Sequence, residues 1–260
     1  MKRHRFIENG LNCEVYIPKQ NNKNRSAIFL YGFPGSVGAN ITTDLLIKNG
    51  YTVFMPNYYG TYDSNGTHTP ISALQTLTDL SNAISKGEFK DIKSQNHITI
   101  PINVELVAAS SFGCFIALRS LNVFQDVNSL LLIAPAITFC NSGANFCGLL
   151  EDGIENIEYV IRSRPYTYRI GDRNDWLKLF SGQYDIPVSN TFHSLKNIIG
   201  IVGDNDSTFD LQRLNAKFKS LIQKIINSDA QIQLETVSGG SHSAESLLTI
   251  QTIEKIKFLF

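Results

Sequence analysis

The chain has 260 residues, of which 43% are hydrophobic, so it is long and apolar enough to form one large α/β domain with a substantial core. Lysine plus arginine and aspartate plus glutamate both number 23, and this zero formal charge gives no reason to expect nucleic acid or an anionic membrane as a partner. The basic start, residues 1–6, is followed by no apolar segment of the signal-peptide type, and the longest apolar runs are too short to span a bilayer.

The cysteine pattern predicts neither a disulfide framework nor a metal site. Cys13, Cys114, Cys140 and Cys147 are widely spaced, with no C-x-x-C pair and no histidine cluster beside them. Reduced thiols in a cytoplasmic protein are therefore expected, and a Cys140–Cys147 bridge is an alternative in an oxidising compartment. We predict a cytoplasmic protein without metal or cofactor, and the sequence leaves its oligomeric state open.

Short apolar strands alternate with amphipathic helices along most of the chain, which is typical of a largely parallel sheet covered on both faces. The first element is a predicted hairpin over Arg5–Pro18, with its turn at Asn9-Gly10. Further predicted strands cover Ser26–Leu30, Tyr51–Met55, Ile102–Ala108, Val127–Ala134, Ile198–Val202 and Gln231–Val237. The predicted helices cover Val37–Lys48, Ile71–Lys86, Phe112–Phe124, Leu211–Ile226 and Ala244–Phe260. This order predicts a single α/β domain over residues 1–260.

The region between Ile137 and His193 interrupts the alternation, since it contains no apolar run of the buried-strand type. Gly148–Ser163 and Asp175–Phe180 are the parts with a helical pattern. The region is also rich in arginine and aromatic residues: Arg162, Arg164, Arg169, Arg173, Trp176, Tyr159, Tyr166, Tyr168 and Tyr184. An aromatic insertion between core strands is a natural cover for an active site, so residues 138–192 are predicted to form a helical lid. The alternative is that the region only packs against the rest of the protein and covers no active site.

The segment from Val104 to Leu118 predicts a strand, a small-residue turn and a helix in direct succession. The turn reads Ala109-Ser110-Ser111-Phe112-Gly113, a relaxed form of G-x-S-x-G. Strand and helix backbones nearly touch at such a turn, so the residues two before and two after the exposed serine must be small. Ser111 meets this condition on both sides and Ser110 does not. Ser111 is therefore the candidate nucleophile.

A serine nucleophile needs a base that removes its proton and an acid that orients the base. Two histidines follow Ser111 in the chain, His193 and His242. His242 lies in a glycine-containing loop between the last predicted strand and the last predicted helix. His193 precedes a strand, and so falls at the opposite edge of a parallel sheet. His242 is therefore the candidate base.

The acid is expected after the strand that precedes the histidine strand, and the expected chain order is serine, acid, histidine. Three carboxylates follow Ile198–Val202: Asp204, Asp206 and Asp210. Asp206 lies in the turn that leaves the strand, and we choose it as the acid. Asp204 is an alternative nearer the strand, and Asp210 is placed to cap the next helix. Capping or a solvated turn is an alternative explanation for all three.

Two backbone amides are candidates for binding the oxyanion that forms when a carbonyl is attacked. The amide of Phe112 directly follows the nucleophile and lies at a helix N-terminus. The amide of Phe33 lies in the segment Tyr31–Ser36, after an earlier strand. On its own, a Gly-Phe-Pro-Gly run would indicate only a turn.

Taken in order, these segments resemble the α/β-hydrolase superfamily. The matching segments, which span nearly the whole chain, are Tyr31–Ser36, Ala109–Gly113, Ala134-Pro135, Gly203–Asp206 and Gly239–His242. The resemblance implies an α/β-hydrolase fold, an eight-stranded and mostly parallel sheet flanked by helices, with Ser111, Asp206 and His242 as a catalytic triad. Two positions depart from the family pattern: Ala109 stands where glycine is commoner, and Tyr31 where many members have histidine.

The first functional hypothesis is a serine hydrolase of the esterase, thioesterase or small serine peptidase branches, acting on a small-molecule or acyl-type substrate through an acyl-enzyme. The second is an acyltransferase or thioesterase for a carrier-bound acyl group, since the insertion's arginines would suit phosphopantetheine or a carboxylate. The third is a non-catalytic binding protein, and an intact triad argues against it. Tyr58, Tyr59 and Tyr62 suggest an apolar or acyl-chain pocket, and His68 is expected to be structural.

Overall fold

The structure is a computed structural model that describes residues 1–20, 22–137, 139, 150–184, 194–208, 210–226 and 229–260. Its strands are β1 (Lys2–Glu8), β2 (Leu11–Ile17), β3 (Arg25–Leu30), β4 (Tyr51–Pro56), β5 (Glu88–Lys90), β6 (His97–Thr99), β7 (Val104–Ser110), β8 (Ser129–Ile133), β9 (Asn197–Gly203) and β10 (Gln231–Val237). Its α-helices are α1 (Ile41–Lys48), α2 (Pro70–Ile84), α3 (Phe112–Ser120), α4 (Leu150–Ser163), α5 (Arg173–Phe180), α6 (Leu211–Ile225), α7 (Ala244–Leu247) and α8 (Ile250–Lys255). Short 3-10 turns follow α3 at Leu121–Val123 and α8 at Lys257–Leu259.

Eight of these strands form one sheet in the order β1-β2-β4-β3-β7-β8-β9-β10. β2 runs antiparallel to both of its neighbours, and every other pairing in the sheet is parallel. The predicted eight-stranded, mostly parallel sheet with flanking helices is confirmed. The strands β5 and β6, which pair with each other, were not predicted, because each has only three residues, with exposed ends and no apolar run.

The central strands are buried on both faces, as expected for a parallel sheet covered by helices. Every residue of β4 and β8 is buried, and in β7 only Glu105 and Ser110 are partly exposed. This double burial is why these strands read as continuous apolar runs in the sequence. The carboxyl ends of β7, β9 and β10 lead into the loops that hold the candidate nucleophile, acid and base.

The first helix begins later than predicted, at Ile41 instead of Val37. The Asn40 side chain accepts hydrogen bonds from two backbone amides of the first turn, at 3.0 Å each, and this cap fixes the start. At the other end Asn49 is the C-cap and Gly50 follows with a φ of 88°.

The predicted C-terminal helix, Ala244–Phe260, is divided into shorter segments. α7 ends at Leu247, and the Thr249 side chain then caps α8 by accepting a hydrogen bond from the Thr252 amide at 3.2 Å. α3 is also shorter than predicted, because it ends at Ser120 and continues as a 3-10 turn. Local caps decide these boundaries, and hydrophobic periodicity does not reveal them.

The described part of the insertion contains α4 and α5, close to the two predicted helical segments. The predicted lid, residues 138–192, also includes positions 138, 140–149 and 185–192, which lie outside the described residues. His193 lies outside them as well. The lid therefore stays a prediction.

Cys13 and Cys114 are buried free thiols, whereas Cys140 and Cys147 lie outside the described residues. Among the helices described, none is long and apolar enough to cross a membrane. Within the same described ranges, no three histidine, cysteine, aspartate or glutamate side chains are grouped so that they could hold a metal ion.

Glu14 on β2 is a buried carboxylate bonded to three side chains of the first hairpin. Its side chain has no exposed surface. Its oxygens accept hydrogen bonds from Arg3 at 2.6 and 2.9 Å, from Arg5 at 2.8 Å and from Tyr16 at 2.5 Å. Burial raises the pKa of Glu14, but the bonds from Arg3, Tyr16 and Arg5 outweigh burial and hold the pKa below its usual value. Such a group stabilises the protein above its unfolded pKa, and this stability is lost as the pH falls through the folded pKa.

We expect Glu14→Gln to lower the free energy of unfolding by about 2 kcal/mol at pH 7, because it removes the charge that the two arginines face. The difference from wild type should begin to shrink below about pH 5, where the unfolded chain starts to take up the proton, and should shrink further as the pH falls through the lowered folded pKa of Glu14. Urea unfolding at several pH values measures both effects, and Glu88→Gln, at an exposed glutamate, is the control. A difference that stays constant down to pH 3 would contradict the role given to the charge.

Candidate active site

Ser111 lies at the turn between β7 and α3, in a backbone conformation that non-glycine residues rarely adopt. Its φ is 51° and its ψ is −120°. Such a conformation costs on the order of 1–3 kcal/mol and persists only where neighbouring groups fix it. The Ser111 amide donates to the Ile133 carbonyl at 2.9 Å, and the Ser111 carbonyl accepts from the amides of Cys114 at 2.9 Å and Ala136 at 3.3 Å. These bonds hold the strained turn in place.

Strand and helix backbones come closest at the residues two positions before and after Ser111. A Cβ atom added at Gly113 would lie 2.4 Å from the Leu30 carbonyl oxygen, so glycine is required there. Ala109 is fully buried and pairs with Leu30 between β7 and β3. The small-residue pattern in the sequence therefore has a direct steric cause, and the methyl group of Ala109 is accommodated where the family more often has glycine.

The structure brings together the side chains of Ser111, His242 and Asp206. Ser111 Oγ lies 2.9 Å from His242 Nε2, and His242 Nδ1 lies 2.8 Å from Asp206 Oδ2. The Asp206 side chain is 2% exposed and the His242 side chain 35%. A carboxylate can only accept hydrogen bonds, so Nδ1 carries the proton toward Asp206 and Nε2 presents its lone pair to the serine hydroxyl. General-base activation of a serine needs this arrangement.

Asp206 is held in its ionised form by the hydrogen bonds that it accepts. Burial raises the pKa of Asp206, but hydrogen bonds from His242 and from the Thr208 amide outweigh it, so the pKa lies below its usual value. The Thr208 amide is 2.9 Å from Oδ1, the oxygen that does not face the imidazole. An ionised carboxylate is the form that can accept the Nδ1 proton of His242. Asp210 directly precedes α6, where the sequence places a helix cap.

Asp204, the alternative acid, connects the two loops that follow β9 and β10. Its Oδ1 accepts a hydrogen bond from the Gly239 amide at 2.6 Å, in the loop that leads to the histidine. The loops also approach each other closely, since a Cβ atom added at Gly203 would lie 2.0 Å from the Gly240 carbonyl oxygen. Asp204 thus contacts the backbone of the histidine loop, whereas Asp206 contacts the imidazole.

Phe33 and Phe112, whose amides are the predicted oxyanion donors, lie beside each other, with ring centroids 6.0 Å apart. Phe112 is the first residue of α3, where backbone amides have no acceptor within the helix. Phe33 follows β3 in a loop that passes close to the nucleophile, since a Cβ atom added at Gly32 would lie 3.0 Å from the Ser111 Cβ. Oxyanion binding by these two amides stays a prediction.

Solved structures match this chain over nearly its whole length, although no model of a protein family and no curated protein matches its sequence. DcsB in complex with its substrate analogue is 13% identical with a TM-score of 0.64, and the match covers 99% of this chain and 96% of that one. An esterase from Pyrococcus furiosus is 16% identical with a TM-score of 0.57, over 98% of this chain and 85% of that one. An α/β serine hydrolase homologue from Coxiella burnetii is 16% identical with a TM-score of 0.55, over 100% and 96%. The chain has the α/β-hydrolase fold.

In this α/β-hydrolase fold, a cleft of about 370 Å³ opens over Ser111. The loop that contains Phe33, the turn at Ser111 and the segment from His242 to Glu245 contribute to its lining. Glu245 is the one acidic side chain among the described lining residues, and those residues include no lysine or arginine. The described walls of the cleft are therefore largely uncharged.

The three tyrosines of the predicted apolar pocket are not among the described residues that line this cleft. Their hydroxyl groups instead bond to other parts of the protein. Tyr58 Oη donates to the Tyr31 carbonyl at 2.9 Å, and Tyr59 Oη donates to the Asp79 carboxylate at 2.9 Å. Tyr62 Oη also has a protein partner, which lies in the loop that follows β3. The tyrosines therefore fix loops of the α/β-hydrolase fold around the site.

His68 has the surroundings of a structural residue, as the sequence predicts. Its side chain is fully buried, and Nδ1 lies 3.1 Å from the Tyr59 carbonyl oxygen. The rings of Phe33 and Trp176 lie 5.1 and 5.2 Å from its own. Burial lowers the pKa of His68 to about 3, so the imidazole stays neutral.

Two arginines of the insertion, Arg169 and Arg173, have partners away from the cleft. The Arg169 guanidinium donates to three backbone carbonyls between residues 62 and 66. Arg173 forms an ion pair with Glu158 at 3.0 Å. None of the insertion's four arginines is among the described residues that line the cleft.

The side chains that hold the loop containing Phe33 could not be identified from the sequence. Tyr168 in the insertion and Tyr62 after β4 both bond to Gly35, at the far end of that loop. No local pattern connects a residue at position 168 to one at position 35. The only signal in the sequence is that the segments containing Tyr62 and Tyr168 are both rich in tyrosine.

Proposed function

We propose that this protein is a serine hydrolase that cleaves an ester, thioester or amide carbonyl through an acyl-enzyme intermediate. The observation that supports this most is the unbroken line of contacts from Ser111 Oγ to His242 at 2.9 Å and from His242 to Asp206 at 2.8 Å. The strained backbone of Ser111 and the cleft above it add support. The likeness to an esterase is a likeness of fold, so the argument for activity comes from the site.

In the proposed acylation step, Ser111 Oγ attacks the carbonyl carbon while its proton passes to Nε2 of His242. The carbonyl oxygen becomes an oxyanion, which the amides of Phe33 and Phe112 bind. When this intermediate collapses, the bond to the alcohol, thiol or amine breaks, and the leaving group takes the proton from His242. Water, deprotonated by the same histidine, then attacks the acyl-enzyme, releases the acid and restores the serine.

Asp206 acts through His242 in this scheme. Its carboxylate accepts the Nδ1 proton, which keeps the imidazole in the tautomer whose Nε2 can receive the serine proton. It also stabilises the imidazolium that exists while the tetrahedral intermediate is bound. Asp204 has a supporting role, because its bond to the Gly239 amide fixes the loop that leads to the histidine.

We infer that the acyl group is small or medium in size and not anionic. The cleft measures about 370 Å³, and the described residues lining it include one carboxylate, that of Glu245, and no cation. A phosphate or carboxylate on the substrate would face no opposite charge there. Arg169 and Arg173, which could have received a phosphopantetheine, are bonded within the protein. The acyltransferase or carrier thioesterase therefore ranks second.

The test combines labelling with turnover. We expect a fluorophosphonate probe to add its mass to the Ser111 peptide of the folded protein, and p-nitrophenyl esters of graded chain length to be hydrolysed. A p-nitrophenyl ester carrying a terminal carboxylate should react more slowly than its neutral counterpart of equal length. Folded protein that is neither labelled nor active would leave only the binding-protein alternative. Transfer of the acyl group to an added amine or alcohol in preference to water would favour the acyltransferase.

A further inference from the structure

We propose that Tyr168 and Tyr62, here called the tyrosine pair, are positioning residues that set the Phe33 amide for oxyanion binding by holding the peptide groups of Gly35. The inference rests on the proposed function, in which the Phe33 amide is an oxyanion donor. It gives the aromatic insertion a part in the reaction that does not require the insertion to move.

The hydrogen bonds of the tyrosine pair converge on one residue. The Gly35 carbonyl accepts from Tyr168 Oη at 2.6 Å and from Tyr62 Oη at 2.6 Å. The Gly35 amide donates to Tyr168 Oη at 2.7 Å. Both polar backbone groups of Gly35 are therefore bonded to phenol groups, two residues after Phe33. Burial raises the pKa of Tyr168, so its hydroxyl keeps its proton and can donate throughout the neutral range.

The loop around Gly35 is too tight to accommodate a side chain at this position. A Cβ atom added at Gly35 would lie 2.3 Å from the Gly32 carbonyl oxygen and 2.8 Å from the Tyr31 ring. The chain thus folds back on itself between Gly32 and Gly35, with Phe33 inside the turn. The hydrogen bonds from the tyrosine pair to Gly35 therefore fix the orientation of the peptide groups between Gly32 and Gly35.

The insertion also holds the Phe33 side chain. The Phe33 ring stacks on Trp176, with centroids 4.8 Å apart and planes at 22°. It meets the Tyr168 ring edge-to-face at 5.2 Å and 84°. The same segment therefore contacts the loop at two places, by hydrogen bonds at Gly35 and by ring packing at Phe33.

The segment that contains Tyr168 is itself fixed to the loop after β4. The Tyr62 amide donates to the Thr167 carbonyl at 2.7 Å, and the Arg169 amide donates to the Gly60 carbonyl at 2.7 Å. The His68 amide donates in turn to the Arg169 carbonyl at 2.7 Å. Tyr62 has a φ of 46°, a left-handed conformation that a tyrosine adopts only where its surroundings impose it. Residues 167–171 are thus a fixed support for the loop that contains Phe33.

These contacts predict an effect on the transition state and not on substrate binding. Removing the Tyr168 hydroxyl leaves the Gly35 amide without its acceptor and the carbonyl with one donor in place of two. The loop then relaxes, and the Phe33 amide is displaced from the position that the oxyanion occupies. Because the oxyanion forms only after attack, the loss falls on kcat while KM changes little.

The experiment compares Tyr168→Phe, Tyr62→Phe and the double variant with wild type, using p-nitrophenyl butyrate. We expect Tyr168→Phe to lower kcat about tenfold, less than the 10²–10³ typical for complete loss of an oxyanion donor, with KM within about twofold. Tyr62→Phe should lower kcat by a smaller factor, because Tyr168 still holds Gly35. A trifluoromethyl ketone, which binds as a tetrahedral oxyanion, should lose affinity by the same factor as kcat/KM. Tyr166→Phe, two residues away and with Tyr166 94% exposed, is the control.

Unchanged kcat in both single variants would overturn the inference, and so would a rise in KM at unchanged kcat. Thermal unfolding of each variant separates a kcat effect from a loss of folded protein. If Tyr168→Phe does not fold, Tyr62→Phe still tests the inference, because the partly exposed Tyr62 side chain donates to the same Gly35 carbonyl. If the wild type is active, Ser111→Ala is inactive and the tyrosine variants are unaffected, only the positioning role of the tyrosine pair is contradicted. An inactive, unlabelled wild type contradicts the proposed function and this inference together.

Discussion

Replacing Ser111 with alanine is expected to lower kcat for a p-nitrophenyl ester by about 10⁶-fold, because alanine has no atom that can form the acyl-enzyme. The fold should survive the change. The backbone bonds that hold this turn come from the amide and carbonyl of residue 111, and alanine keeps both. Steady-state hydrolysis measures the loss, and the intact mass after fluorophosphonate treatment shows whether the probe has been added.

Ser110 provides the matched control, since it is the adjacent serine and the last residue of β7. The bond to His242 Nε2 comes from Ser111 Oγ, so Ser110→Ala should keep most of the activity and take up the probe normally. An inactive Ser110→Ala beside an active Ser111→Ala would transfer the role of nucleophile to Ser110. It would also contradict the steric argument, because Phe112 stands two residues after Ser110, where a small residue is required.

The parts of the site that could be predicted from the sequence follow from local rules. A small residue two positions before and two positions after Ser111 is a steric requirement at one turn, and the Leu30 carbonyl that Gly113 approaches shows its cause. The meeting of the candidate acid and the candidate base could be predicted because parallel strands place their carboxyl ends at one edge of the sheet. Asp206 and His242 follow β9 and β10, which are adjacent and parallel, so their loops meet.

The parts that could not be predicted depend on contacts between distant segments. Tyr168 and Gly35 are 133 positions apart, and periodicity carries no information about such a pairing. The start of α1 depends on whether Asn40 turns its side chain back onto the first helical amides. The strands β5 and β6 are too short and too exposed to leave a hydrophobic pattern. In each case the deciding interaction is a hydrogen bond whose partner the local sequence does not identify.

Two non-glycine residues with positive φ lie where the chemistry is proposed. Ser111 at the end of β7 has a φ of 51°, and Ala134 at the end of the adjacent strand β8 has a φ of 45°. The Ala134 amide donates to the Ile201 carbonyl of β9 at 2.8 Å, and the Ala136 amide donates back to the Ser111 carbonyl at 3.3 Å. The strained turns therefore support each other across three neighbouring strands. Such over-determined strain is characteristic of functional sites, since nothing in the fold alone requires an alanine in this conformation.

Asp206→Asn is expected to lower kcat by about 10⁴-fold, whereas Asp204→Asn should leave it close to the wild-type value. An asparagine at 206 can present its amide NH₂ to His242 Nδ1, which favours the tautomer with the proton on Nε2, and that nitrogen then cannot accept the serine proton. An asparagine at 204 keeps an oxygen that can accept from the Gly239 amide, so the histidine loop stays in place. The two substitutions are chemically identical and two residues apart, so charge loss alone cannot separate them. Kinetics with p-nitrophenyl esters show which aspartate is the acid, and thermal unfolding of both variants shows that each is folded. A large loss at 204 with a small one at 206 would assign the acid to Asp204.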